Sequence, residues 1–169
     1  MTSLIVLSAS VVSLFTVPFS GHLSDRIGRK RMYLLGATTM GLFGFLYFAL
    51  LSTAMPGWIF LAIALSLIPH DMMYGPQAAL IAESFTGRLR YSGASLGYHL
   101  ASVFAGGPAP LIATALLARY HSGYAIALYI LVCASVGFFS TMLLKDYTNK
   151  DISAEYDEAG LPHAPMAPA

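Results

Sequence analysis

Gly21-His22-Leu23-Ser24-Asp25-Arg26-Ile27-Gly28-Arg29-Lys30-Arg31 separates two long apolar runs, and its reading decides the fold. The stretch holds four of the nine Lys and Arg residues of the 169-residue chain. Around it, 57% of residues are hydrophobic, 10% are charged, and the mean hydropathy is +0.68. Soluble domains carry about 25% charged residues, so this composition belongs to a lipid environment. One helix crosses the hydrocarbon core in about 20 residues, which leaves room for five or six crossings and little else. The net charge of +1 is unevenly spread, with charges gathered between and after the apolar runs. No basic stripe for nucleic acid is present. The single cysteine, Cys133, excludes an internal disulfide and reads as a small buried apolar residue.

Outward from the basic stretch, five helices are expected. The first covers about 1–19, ended by Pro18 and Gly21; its hydroxyl residues Ser3, Ser8, Ser10, Ser13 and Thr16 suit a helix interface. It lacks the basic start and cleavage site of a signal peptide and reads as a membrane helix whose start is missing or abrupt. The second covers about 32–52, with Gly36, Gly41 and Gly44 as contact points. The third covers about 58–83 and is interrupted by Pro69 and Pro76. The fourth covers about 93–118, with a kink or break at Gly106-Gly107-Pro108-Ala109-Pro110. The fifth covers about 124–144. Residues 1–144 form the bundle, and 145–169 form a polar, then Pro/Ala-rich tail expected to be disordered.

Basic residues between membrane helices collect on the cytoplasmic side. Five crossings with 21–31 inside place 84–92 and the tail inside as well. Eight of the nine Lys and Arg residues then lie inside, and Arg119 alone lies outside. The expectation is a multi-pass protein of the cell membrane, N-terminus outside and C-terminus cytoplasmic.

The pattern G-x-x-x-D-R-x-G-R-K-R at 21–31 closely resembles the signature loop of the major facilitator superfamily of secondary transporters. Tyr74-Gly75-Pro76-Gln77-Ala78-Ala79-Leu80-Ile81-Ala82-Glu83, followed by Arg88-Leu89-Arg90-Tyr91-Ser92-Gly93-Ala94-Ser95-Leu96-Gly97-Tyr98, looks like its metabolite:proton symporter family. That group includes shikimate, 2-oxoglutarate, citrate and proline/betaine carriers. Thr86-Gly87 departs from the family's usual proline and threonine and loosens the loop. The resemblance implies an all-α membrane fold in which this chain matches helices eight to twelve of twelve. Helices one to seven, including the N-terminal half, are then expected outside this sequence, through a fragment or a truncated gene. The resemblance also implies that Gly21, Asp25, Arg26, Gly28, Arg29, Lys30 and Arg31 form a conformational latch. In it Asp25 docks at a helix N-terminus of the opposite half, where a carboxylate is favoured.

His70 and Asp71 lie about 20 Å from either end of helix three, near the bilayer midplane. Ionisable groups there are costly and by default functional. His70, Tyr74 and Gln77 follow i, i+4, i+7 and share a face, which makes them a candidate substrate and proton pathway with Asp71 as proton acceptor. A structural polar contact is the competing reading. His99 sits about 9 Å into helix four, on a possible second face with Ser95, Ser102 and Gly106; packing against a neighbouring helix explains it equally well. Glu83, Arg88 and Arg90 are expected to form a cytoplasmic salt bridge or gate. No Ser-His-Asp order, metal-ligand spacing or nucleotide loop appears, so neither a cofactor nor catalysis is expected. The sequence therefore points to part of a symporter moving a small organic acid or zwitterion with protons. A transport-inactive remnant, a small membrane assembly or regulatory protein, and an intramembrane enzyme using His70 and Asp71 are the alternatives.

Overall fold

The computed structural model describes residues 2–85 and 89–145. Arg88, the Thr86-Gly87 pair and the expected tail beyond Lys145 lie outside the described residues. Those described form helices joined by short turns, without strands. Helix α1 (Thr2–Ile27) leads into α2 (Arg29–Leu51) and α3 (Pro56–Glu83). The fourth rod consists of α4 (Arg90–Ala101), a π-helical turn (Ser102–Gly106) and α5 (Pro108–Tyr120). Helix α6 (Gly123–Leu143) is the last. Among the described residues four rods are long and apolar enough to span a membrane: α2, α3, the composite fourth rod and α6. Helix α1, with 26 residues, is about 39 Å long at the helical rise, more than the hydrocarbon core requires.

Two expected boundaries move. Pro18 does not end α1, which continues to Ile27. A proline removes one donor, and membrane helices tolerate that loss. Gly21 serves close packing instead of termination. The basic stretch is thus no open loop but two helix ends meeting at Gly28, whose φ of 108° lies in the region that favours glycine. Gly28 N–H donates to Ser24 at 2.9 Å, and its carbonyl accepts from Met32 at 3.0 Å. Replacing Gly28 by alanine is expected to cost about 1–3 kcal/mol of backbone strain. A lowered melting temperature of the purified protein checks this, and an unchanged one contradicts it.

The expected interruption of α3 is also corrected: Pro69 and Pro76 are buried inside one continuous 28-residue helix. The break in the fourth rod occurs as expected, and it takes a specific form. Pro108 and Pro110 have no N–H to continue an α ladder. Gly107 N–H instead reaches five residues back to Ser102 O at 3.0 Å, and a Cβ on Gly107 would lie 2.9 Å from Val103 O.

Glycines set the packing. A Cβ on Gly75 of α3 would lie 2.8 Å from Gly21 N and 3.0 Å from Val17 O of α1. One on Gly36 of α2 would meet Met73 of α3 at 2.6 Å. Gly41 and Gly44 face Leu131, Ala134, Ala127 and Ile130 of α6. Helix α2 therefore lies between α3 and α6, with α1 against α3. Small residues let backbones approach, which is how helices associate where lipid removes the hydrophobic incentive. The fourth rod buries none of its residues in this bundle.

Candidate functional site: a cavity beside helix α3

Adjacent residues on a helix point about 100° apart, and α3 uses this to send His70 and Asp71 in different directions. Asp71 is 1% exposed and turns towards α1. Its Oδ2 accepts from Ser13 Oγ at 2.9 Å and from Thr16 Oγ1. Ser20 Oγ donates to the Asp71 carbonyl at 2.8 Å. The hydroxyls on α1 thus supply the polar partners that a buried carboxyl requires.

The His70 side chain is 54% exposed. Its ring lies at 5.6 Å and 14° from that of Tyr74, in a stack, while Nδ1 is 3.0 Å from Asp71 Oδ1. His70, Tyr74 and Gln77 line one cavity of about 480 Å³, as their shared face implies. Tyr33 and Met40 of α2, Tyr129 and Cys133 of α6, Gly106 and Ala109 complete its wall. Three tyrosine hydroxyls, an amide, an imidazole and apolar walls can orient a small polar molecule.

Three expectations differ from this geometry. Asp71 does not line the cavity. His99 is exposed on α4, at 6.2 Å from the Tyr98 ring, and does not reach it; of its expected face, Gly106 alone does. Cys133 is exposed in the wall, not buried. Tyr33 and Tyr129 had no signal in the sequence, because their role depends on which helices become neighbours.

At the basic end, Arg29 links three helix termini. Its guanidinium donates to Asp25 Oδ1 at 2.8 and 3.1 Å and to Glu83 Oε1. Glu83 therefore pairs with Arg29, not with Arg90, whose Nε is buried without a partner among the described residues, as is Glu83 Oε2. Lys30 Nζ donates to the Met142 and Leu144 carbonyls at 2.8 and 2.5 Å, placing a cation where the C-terminus of α6 favours one. Arg26 and Arg31 are exposed. Among the described residues no group of three His, Cys, Asp or Glu side chains could hold a metal ion.

The model of the Major Facilitator Superfamily matches residues 1–168. The Shikimate transporter of Escherichia coli (strain K12) is 38% identical over 138 residues, which cover 80% of this chain and 31% of that protein. A Putative metabolite transport protein of Haemophilus influenzae is 30% identical over 152 residues, 90% of this chain and 34% of that one. The Proline/betaine transporter of Escherichia coli (strain K12) is 27% identical over 149 residues, 88% and 30%. The chain thus spans about a third of the length of these relatives. No solved structure matches. The relatives are transporters, so the intramembrane-enzyme reading of His70 and Asp71 falls away. With its helices, its signature stretch and its match over residues 1–168, the chain is a multi-pass membrane protein that belongs to the major facilitator superfamily.

Proposed function

We propose that these helices form part of a secondary transporter that moves a small organic acid or zwitterion together with protons, as helices eight to twelve of a twelve-helix carrier. The convergence of His70, Tyr74 and Gln77 on one cavity beside the broken fourth rod carries this reading. Carriers of this type bind substrate near the midplane, beside discontinuous helices. The names of the relatives, shikimate and proline/betaine transporters, favour a carboxylate-bearing substrate. The fourth rod leaves Phe104 and Leu111 more than 70% exposed, which suits an opposing wall supplied by further helices. Asp25, half exposed beside Arg29, remains the candidate latch towards that wall, with Arg26 and Arg31 near it. A transport-inactive remnant and an assembly protein remain the competing functions.

Reconstituted in proteoliposomes within a complete twelve-helix carrier, these helices are expected to support saturable uptake of a small organic acid under an inward proton gradient. Uptake that ignores the gradient would remove the proton, and absence of uptake for any organic acid or zwitterion would remove the carrier reading. Because the opposing wall is part of the proposal, residues 1–169 alone are expected to show none. Reporter fusions after Arg31, Pro56, Arg90 and His121 are expected to read inside, outside, inside, outside. Two successive fusions on one side would overturn the orientation and the crossing count.

A further inference from the structure

We propose that Asp71 is a positioning residue for His70: it holds the imidazole with Nδ1–H turned towards it and leaves Nε2 as the proton-accepting atom beside the cavity. Proton and substrate carboxylate would then meet on one ring. The consequence for transport rests on the carrier reading above; the ring geometry does not.

Oδ2 of Asp71 is occupied by the hydroxyls of Ser13 and Thr16. Its Oδ1 lies 3.0 Å from His70 Nδ1. A carboxylate only accepts, so the nitrogen facing it carries the hydrogen. In a neutral ring the other nitrogen is then the acceptor. Tyr74, stacked at 5.6 Å, limits rotation of the ring from its other side. The arrangement follows the general rule that the partner of one imidazole nitrogen decides what the other can do.

The remaining titratable groups that line this cavity are Tyr74 on α3, Tyr33 on α2, and Tyr129 and Cys133 on α6. The π turn and α5 contribute Ala105, Gly106 and Ala109, which do not titrate. Among the described residues the α1 side chains that donate to the Asp71 carboxylate are the hydroxyls of Ser13 and Thr16, which do not titrate in this range. A proton arriving at Nε2 produces an imidazolium whose new N–H can donate to a substrate carboxylate. The same proton leaves from Nε2 when the carboxylate departs. No other bond changes.

The test is chemical modification of the purified protein, as its gene encodes it, with diethyl pyrocarbonate. The reagent acylates the unprotonated imidazole nitrogen, and peptide mass spectrometry reads each histidine separately. In Asp71→Asn the pH profile of His70 modification is expected to differ from the parent's, because the carboxylate that faces Nδ1 and leaves Nε2 free is gone. The profiles of exposed His99 and His121 are expected to stay in place. Asp71→Glu, which keeps the charge, should retain the parent profile; Asp71→Ser replaces the Asn variant if that one is not recovered. A His70 profile that does not move in the neutral variants overturns the proposal and leaves Asp71 a structural tie to α1. Modification is read without transport, so a parent that takes up nothing would sink the carrier reading alone.

Discussion

Gly75→Val is expected to yield little folded protein. Even the first added carbon of such a side chain would lie 2.8 Å from Gly21 N, 2.9 Å from Ser20 Oγ and 3.0 Å from Val17 O. Two of those three atoms are backbone, so no rotamer change makes room. Helices α1 and α3 must part, at a cost of about 3 kcal/mol or more. Parting them also withdraws Ser13 and Thr16 from Asp71, leaving a buried carboxyl short of donors. Gly97→Val in α4 is the control, since nothing lies within 4 Å of its Cβ position. The measurement is the fraction of monodisperse protein after detergent extraction, with the melting temperature of what remains. Equal yields from the two variants would show that the α1–α3 contact is not the close crossing described here.

Arg29→Leu is expected to destabilise the basic end of the bundle by about 3 kcal/mol, because it strands the largely buried carboxylate of Glu83. The Asp25 carboxylate, half exposed, loses a partner at much smaller cost. Lysine at this position is expected to rescue little, since one ammonium cannot reproduce the fork that reaches α1 and α3 together. The double variant Arg29→Leu/Glu83→Leu should recover most of the loss, as both charges are gone. Melting temperatures of the three variants decide this. A double variant no better than Arg29→Leu alone would mean that the pair is not what Arg29 contributes.

These two sites also show where the sequence was legible. The apolar runs and the spread of basic residues led to five rods, and the glycines of α2 were recognisable as contact points. The break in the fourth rod was visible because two prolines close together leave the backbone little choice. Pro18, Pro69 and Pro76 misled, since a single proline in a long apolar helix can be absorbed where neighbours pack closely. In the cavity, the i, i+4, i+7 spacing of His70, Tyr74 and Gln77 was sufficient, because positions on one helix share a face whatever surrounds them. Asp71 was assigned to the same pathway, yet its neighbour position turns it towards α1. Which of two adjacent residues faces a cavity depends on helix pairing, a tertiary fact. The same limit concealed Tyr33 and Tyr129, and it concealed the pairing of Arg29 with Glu83, 54 residues apart.

A solute carried by these helices is expected to enter the cavity beside α3. Cys133, the single cysteine of these 169 residues, lies in its wall and is exposed there. The direct measurement is the rate at which a water-soluble maleimide labels Cys133, read by peptide mass spectrometry, with and without an organic acid found to be taken up in the proteoliposome assay. Labelling is expected to slow severalfold as that acid saturates. An unchanged rate under saturating solute would contradict this and place the transport path elsewhere.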